Sequence, residues 1–330
     1  MTPPTDDDDR PGRPSGTSAR EDGRSLIANP SLASGDLIAD RRYAYGKAAA
    51  DDGDVRTAAD LFEQARERAP DWPAALFALA DARARLGERE GAVAAFQMTR
   101  SADPQDSFGA GARLALLWAT AAPAGLPRAY VTRLFDDYAP RFERHLVGAL
   151  AYRGPALIIG ALDAVAPGRR FASGLDIGCG SGLMGAAIRP RVDRLEGVDL
   201  APAMVEKARE SGSYDAVEAG DAVERLAAAP AGAFDLILAA DALCYLGDLA
   251  PVFAVAARAL APGGLLAFTA ETCDGDGFRL LPGLRFAHAP AYVEAAAAAA
   301  GLRPTLIRRA SSRREADVAA PGLVAALTRG

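Results

Sequence analysis

The spacing of apolar positions changes along the chain, and each change predicts a different kind of element. Between residues 37 and 122 a helical pattern recurs: shifted by 34, Gly53, Ala58, Phe62 and Pro70 fall on Gly87, Ala92, Phe96 and Pro104. An apolar helix is expected after them, from Phe108 to Ala121. Leu134, Tyr138, Phe142 and Leu146 then recur every four residues, as one helical face requires, although Pro140 forces a break or a new helix start. A further helix is expected from Pro155 to Val165. After Pro167 the texture becomes strand then helix, repeated. Strands are predicted at 172–177, 194–198, 216–218, 234–239, 265–269, 305–308 and 323–327, and helices at 182–188, 202–211, 248–260 and 289–300. This alternation predicts an α/β sheet with crossovers, whose last two strands can pair as an antiparallel hairpin.

The 34-residue period is that of tetratricopeptide helix pairs. Small residues at Ala58 and Ala92 let paired helices approach, Phe62 and Phe96 fill the space between repeats, and each proline ends a second helix. Arg42, Arg83 and Thr99 depart from the usual pattern, so a generic bundle of helical hairpins stays open as the alternative. Residues 1–36 are rich in Pro, Gly, Ser and Asp and lack aromatics, which predicts a disordered tail, with Asp6–Asp9 as an acidic arm or a solvating stretch. The expected division is a tail over 1–36, repeats over 37–122, linking or lid helices over 123–170 and the sheet domain over 171–330.

Chemistry concentrates at Leu175-Asp-Ile-Gly-Cys-Gly-Ser-Gly182, where a buried strand gives way to a helix. Gly178, Gly180 and Gly182 allow a tight turn and close approach of a ligand to the backbone. Asp199 lies 21 residues past Gly178 at the end of the next strand, where a carboxylate accepts from ribose hydroxyls. Asp221 follows the third strand, within reach of an adenine amino group. Asp176, ahead of the loop, suits a ligand with an amino or cationic end better than a pyrophosphate, since like charges repel. A nicotinamide dinucleotide is the competing ligand, but its fingerprint wants Gly or Ala where Leu183 stands.

These blocks, with Gly197-Val-Asp-Leu200, Phe234–Leu243 and Leu260-Ala-Pro-Gly-Gly264, resemble the ordered motifs of class I S-adenosylmethionine-dependent methyltransferases. Phe135–Leu146 and Arg285–Tyr292 are similar to segments of bacterial methyltransferases that carry tetratricopeptide repeats before the catalytic domain. The resemblance implies a seven-stranded Rossmann-like sheet behind an all-α repeat domain, with S-adenosyl-L-methionine as cofactor. It places Asp176 near the methionine amino group, Asp199 on the ribose and Asp221 near the adenine. It implies a contact set of Asp176, Gly178, Gly180, Gly182, Asp199, Leu200, Met204, Asp221, Ala222 and Ala240. The acceptor, a small molecule or a protein, is left unnamed.

An oxygen or nitrogen acceptor must lose a proton, and the chain has two histidines, His145 and His288. His288, before the last helix, and Tyr245, beyond the fourth strand, are the candidate catalytic residues. Packing or capping is the other reading for His288 and core packing for Tyr245, while His145 is expected to be structural or half exposed. Tyr130 and Tyr138 are candidates for closing the pocket. Cys179 and Cys244 are expected to be buried fillers rather than nucleophiles.

Composition narrows the rest. A net charge of −6 with 24% charged residues argues against a basic nucleic-acid module. Nearly all 37 basic residues are arginine, Lys47 and Lys207 being the lysines, which reads as genome composition rather than phosphate binding. The apolar runs are too short or too weak to span a bilayer, the acidic N-terminus is unlike a secretory signal, and three cysteines suit a reducing cytosol, so a cytoplasmic protein is expected, without a metal site. A protein partner of the repeats is possible. The runner-up function is a repeat scaffold whose methyltransferase-like domain binds cofactor without turnover.

Overall fold

The computed structural model describes residues 33–142, 151–315 and 318–330. The tail expected up to residue 36 therefore lies mostly outside the described residues, as does His145. Five helices come first: α1 (Leu37–Asp51), α2 (Val55–Arg68), α3 (Pro73–Arg85), α4 (Arg89–Ala102) and α5 (Ala110–Leu116). Local chemistry sets their ends. Asp36 caps α1 by accepting from the amides of Ile38 and Ala39, and Asp54 caps α2 by accepting from Thr57. Gly53 and Gly87, one period apart, both take left-handed backbone between paired helices. Ala58, Phe62, Ala92 and Phe96 all fall in one buried cluster, the packing that the 34-residue repeat predicts.

The expected helix from Phe108 to Ala121 is shorter than its apolar pattern. Gly109 is left-handed and Asp106 accepts from the amides of Ala110 and Gly111, which fixes the start of α5. At the other end Trp118 takes a positive φ and turns out into solvent. Two connecting helices follow, α6 (Arg128–Tyr138) and α7 (Gly154–Val165). A 3₁₀ turn over Ala139–Arg141 absorbs Pro140 after α6; Leu146, expected on the same face, lies outside the described residues.

The remaining chain runs β1 (Phe171–Ile177), α8 (Leu183–Ile188), β2 (Val192–Asp199), α9 (Pro202–Glu210), β3 (Ala216–Ala219), α10 (Ala222–Ala228), β4 (Phe234–Ala239), α11 (Ala250–Ala259) and β5 (Leu260–Thr272). After these come β6 (Phe278–Leu281), β7 (Arg285–His288), α12 (Pro290–Ala299), β8 (Leu302–Arg309), β9 (Arg314–Glu315), β10 (Val318–Ala319) and β11 (Gly322–Arg329). Seven strands form the main path, in the order β3-β2-β1-β4-β5-β11-β8. The first five are parallel, and β11 runs antiparallel between β5 and β8. The hairpin β6–β7, not anticipated from the sequence, adds to the carboxyl end of β5 through Glu271 and Thr272. The short helix α10 was also not anticipated; Asp221 caps it through the amides of Val223 and Glu224.

Alternating side chains of the sheet divide the core into two layers. Leu175 and Ile177 of β1 and Ile237 of β4 pack with Val252, Phe253 and Val293 beneath α11 and α12. Phe171, Leu236 and Leu238 pack on the opposite face with Ile158, Leu162, Met184 and Ile188 of α7 and α8. A third cluster joins the two halves of the chain: Ala112 of α5, Leu126 just before α6 and Val131 within it pack against Leu280, Leu284 and Phe286 of the hairpin.

Candidate functional site

Strand β1 pairs with β2 on one side and β4 on the other, so the strand order reverses at its carboxyl end. A crevice opens at such a reversal. Here it is a cleft of about 280 Å³, roofed by Leu126, Val131, Leu134, Phe135, Tyr138 and Phe142 and floored by the strand ends.

At one end of the cleft the walls are mostly backbone and short side chains. Gly178 and Gly180 line it, both with positive φ, and the amides of Gly178 and Cys179 donate to the Val198 carbonyl, tying the loop to β2. A Cβ on Gly178 would stand 2.4 Å from the Ala242 side chain; on Gly180 it would find only the Phe142 ring, at 3.9 Å. Asp199 accepts from the Gly180 amide at 2.8 Å and from the Ala201 amide at 2.9 Å. Burial raises its pKa, and the two amides oppose that shift. Each carboxylate oxygen retains a lone pair for a further donor. Asp221 lines the same end, capping α10 with one oxygen and pairing through the other with Nε of Arg128 at 3.0 Å. Arg128 also reaches Glu224 at 2.7 Å, so α6 is clasped to the sheet edge across the cleft. Leu200, Ala222 and Ala240 complete this wall.

Three expected contacts stand elsewhere. The alternation that buries Leu175 and Ile177 on one face of β1 turns Asp176 to the other, behind the glycine loop, where the Tyr214 hydroxyl donates to it at 2.7 Å. Its second oxygen is buried without a hydrogen-bond partner, and burial pushes its pKa up to about 7. Gly182 begins α8 and faces Ser211 and Tyr214, and Met204 packs with Ala139 and Ala201 under the lid; neither lines the cleft.

The other end of the cleft is built from long polar side chains. Tyr245 lines it, as expected for a residue beyond the fourth strand, and its hydroxyl accepts from Nη1 of Arg285 at 3.1 Å. Burial raises the pKa of this phenol, against the opposing influence of Arg285. Glu271, buried at the end of β5, accepts from Nε of Arg285 and, at 2.6 Å, from Nη2 of Arg313. Asp241 takes a positive φ at the end of β4 and is held by the Thr269 and Ser312 hydroxyls at 2.8–3.1 Å. Tyr152 lines the cleft beside them.

His288 is corrected. It is fully buried at the end of β7, outside the cleft, and its Nε2 lies 2.9 Å from the Leu246 carbonyl and 3.1 Å from that of Gly247. Both partners are acceptors, so Nε2 carries the proton and donates, and burial keeps the pKa below the ordinary value. The Nε2 contacts close the turn after β4, and Nδ1 is buried without a hydrogen-bond partner, away from the cleft. Tyr138 lines the cleft, but Tyr130 faces a second cavity of about 380 Å³ between α6 and the repeats. Cys179 and Cys244 are buried with pKa values raised by burial, and the Cys244 thiol donates to the Asp241 carbonyl at 3.0 Å. Arg285, Arg313, Glu271, Tyr152 and Asp241 were not singled out from the sequence. In a chain whose basic residues are nearly all arginine, no local signal distinguishes Arg285 and Arg313, which reach this end of the cleft. Among the described residues no cluster of three or more His, Cys, Asp or Glu side chains could hold a metal ion.

Comparison with known families now adds to the geometry. The family pattern "Methyltransferase domain" matches residues 175–268, and "Tetratricopeptide repeat" matches residues 49–114. The first of these matches falls within the sheet half. A ubiquinone biosynthesis O-methyltransferase of Xanthomonas oryzae pv. oryzae is 35% identical over 95 residues, 28% of this chain and 40% of that protein. A malonyl-[acyl-carrier protein] O-methyltransferase of Salmonella typhimurium is 35% identical over 127 residues, 38% of this chain and 47% of that protein. The chain thus spans about half the length of the curated relatives it matches. In fold, the chain is similar to an N1-methyltransferase of Burkholderia thailandensis, solved with 1,6-didemethyltoxoflavin and S-adenosylhomocysteine. The TM-score is 0.50 at 20% identity, over 64% of this chain and 93% of that one. The first match runs from within β1 into β5 and so includes the loop at the glycine end of the cleft, and the repeat match ends within α5, the helix before α6.

Proposed function

We propose that the protein transfers a methyl group from S-adenosylmethionine to an acceptor held at the arginine end of the cleft. One observation carries this reading: Gly178, Gly180, Asp199 and Asp221, singled out from sequence spacing, line a single cavity together with Ala222 and Ala240, which the resemblance implies. The residues suit the cofactor, because Gly180 leaves room that a side chain would fill and Asp199 is fixed by two amides with lone pairs to spare. Asp199 would accept from the ribose hydroxyls, Asp221 would face the adenine, and the amides of the glycine loop would lie along the amino-acid end. The cofactor supplies a methyl group already activated on a sulfonium. The chain's part is then to orient the acceptor and exclude water. Val131, Leu134, Phe135, Tyr138 and Phe142 make an apolar lid suited to that exclusion. Asp176, paired to Tyr214 behind the loop, would act through the loop's position rather than by touching a ligand.

We assign the repeats a supporting role, in holding the lid helix and in binding a protein partner. The second cavity supports this, since Tyr43, Phe62, Phe77 and Asp81 of the repeats face Arg133 and Leu134 of α6 across it. No helix among the described residues is long and apolar enough to cross a membrane, and a cytosolic setting fits the three unpaired thiols. The test is methyl transfer from labelled S-adenosylmethionine into extracts separated into protein and small-molecule fractions. Label transfer that disappears in Asp199→Ala supports an enzyme. Tight cofactor binding with no transfer to either fraction supports the scaffold reading instead.

A further inference from the structure

The arginine end of the cleft contains a donor without an acceptor. Nη2 of Arg285 is buried with no hydrogen-bond partner, while its Nε is spent on Glu271 and its Nη1 on the Tyr245 hydroxyl. A buried charged donor left without a partner is costly, and an acceptor that reached it would relieve that cost. The electrostatics say what kind of group. Arg285 and Arg313 both donate to Glu271, so two guanidinium groups gather around one carboxylate at this corner. Asp241 lines the same cleft, which would repel a dianion, and its oxygens are already held by Thr269 and Ser312. A monoanion therefore fits and a phosphate monoester fits poorly. The adjoining surface is apolar: the Phe135 ring stands edge-on to Tyr245, centroids 5.5 Å apart, beside Leu126 and Leu246.

Resting on the methyl-transfer reading, we propose that the acceptor is an organic acid with an apolar body, and that Arg285 receives its carboxylate through Nη2. Arg313 and Glu271 position that guanidinium, and Tyr245 fixes its plane through Nη1. The cofactor's own amino-acid end also carries a carboxylate, and the test separates the two.

The experiment uses the full chain and Arg285→Gln, with Arg285→Lys as a second variant that keeps the charge. S-adenosylhomocysteine and 5′-methylthioadenosine, which lacks the amino-acid end, are titrated into each. Benzoate and its neutral isostere benzamide are then titrated into protein saturated with S-adenosylhomocysteine. The expected result is that S-adenosylhomocysteine binds all three proteins within about threefold, while benzoate binds wild type and weakens about tenfold or more in Arg285→Gln. Arg285→Lys should recover part of that loss, and benzamide should not distinguish the proteins. If S-adenosylhomocysteine weakens about tenfold in Arg285→Gln and 5′-methylthioadenosine does not, the guanidinium holds the cofactor and the proposal is overturned. Benzoate binding that is absent in wild type, or equal in wild type and Arg285→Gln, overturns it as well. Failure of wild type to bind S-adenosylhomocysteine at all marks the different failure, that of the cofactor reading beneath it.

Discussion

The two ends of the cleft are made in different ways. The glycine end is short-range: the Gly180 amide meets Asp199 across 19 residues, within one strand–helix–strand unit, and the contacts are largely between backbone and carboxylate. The arginine end is long-range, with Tyr245 meeting Arg285 across 40 residues and Arg313 meeting Glu271 across 42. An end built from backbone tolerates little change in its own loop but asks little of the rest of the fold. An end built from buried charges depends on every partner being present.

The largest expected effect tests that dependence. Glu271→Gln removes the carboxylate shared by Arg285 and Arg313 and leaves two guanidinium groups with a neutral partner. Breaking a buried ion pair on one side costs about 3–5 kcal/mol, so denaturant unfolding should show a loss of that order. A loss under about 1 kcal/mol would mean that the arginines are effectively solvated and that the contrast between the two ends is wrong.

Gly180→Val strikes the other end. The new side chain must adopt a positive φ, costing about 1–2 kcal/mol, and it fills space on the cleft wall. Cofactor affinity should fall by about 100-fold or more, a change of about 2.7 kcal/mol, with the helical repeats still folded by circular dichroism. Unchanged affinity in a folded variant would remove the loop from the site.

His288 sharpens the comparison, because it is buried outside the cleft and lines neither end. His288→Asn should cost about 1–3 kcal/mol of stability through the two carbonyls it leaves less well satisfied, with turnover of the folded fraction near normal. A fall in turnover of about 100-fold without loss of stability would restore it as a proton acceptor. The pH dependence carries a sign. Burial keeps the folded pKa below the ordinary 6.5, so below that pH the unfolded chain binds a proton that the native chain does not. Stability contributed by the neutral ring is therefore lost as pH falls from 6.5 toward the folded value. The change in melting temperature between pH 7.5 and 5.5 should be smaller in His288→Asn than in wild type. An equal change would show that the ring titrates alike in both states.

Arg128→Ala should have the smallest effect. The side chain is half exposed, and its pairs with Asp221 and Glu224 are worth about 1 kcal/mol or less. The expected outcome is a faster exchange of cofactor with an affinity within about fivefold of wild type, a difference that shrinks at high salt. A salt-independent loss would mean that Arg128 contacts the ligand directly.

This division also explains what could be read from the sequence. The loop glycines, Asp199 and Asp221 stood out because strand ends and turns impose spacing that survives in one dimension. The seven strands of the main path were legible for the same reason, as were the buried Ala58 and Phe62 with their partners one period on. The hairpin β6–β7 was not, because Phe278–Leu281 and Arg285–His288 are four-residue strands whose pairing is decided by the end of β5. That hairpin carries Arg285 and His288 to different places, one into the cleft and one behind it. The same effect blurs a boundary drawn between residues 122 and 123. Pro123 and Pro127 mark a break in the chain, yet Ala112 and Leu116 on one side pack with Leu280 and Phe286 on the other. Asp176 shows the limit of motif reading at a single residue, since a strand's alternation fixes which face its carboxylate takes.

The central claim is that the glycine end of the cleft is a site for S-adenosylmethionine. The most direct measurement is calorimetric titration of the full chain, wild type and Asp199→Ala, with S-adenosylhomocysteine and with NAD. One site for S-adenosylhomocysteine is predicted, weakened by about 1.5–3 kcal/mol in Asp199→Ala through the loss of charge-assisted ribose contacts, with no heat from NAD. Binding of NAD by wild type with none of S-adenosylhomocysteine would contradict it.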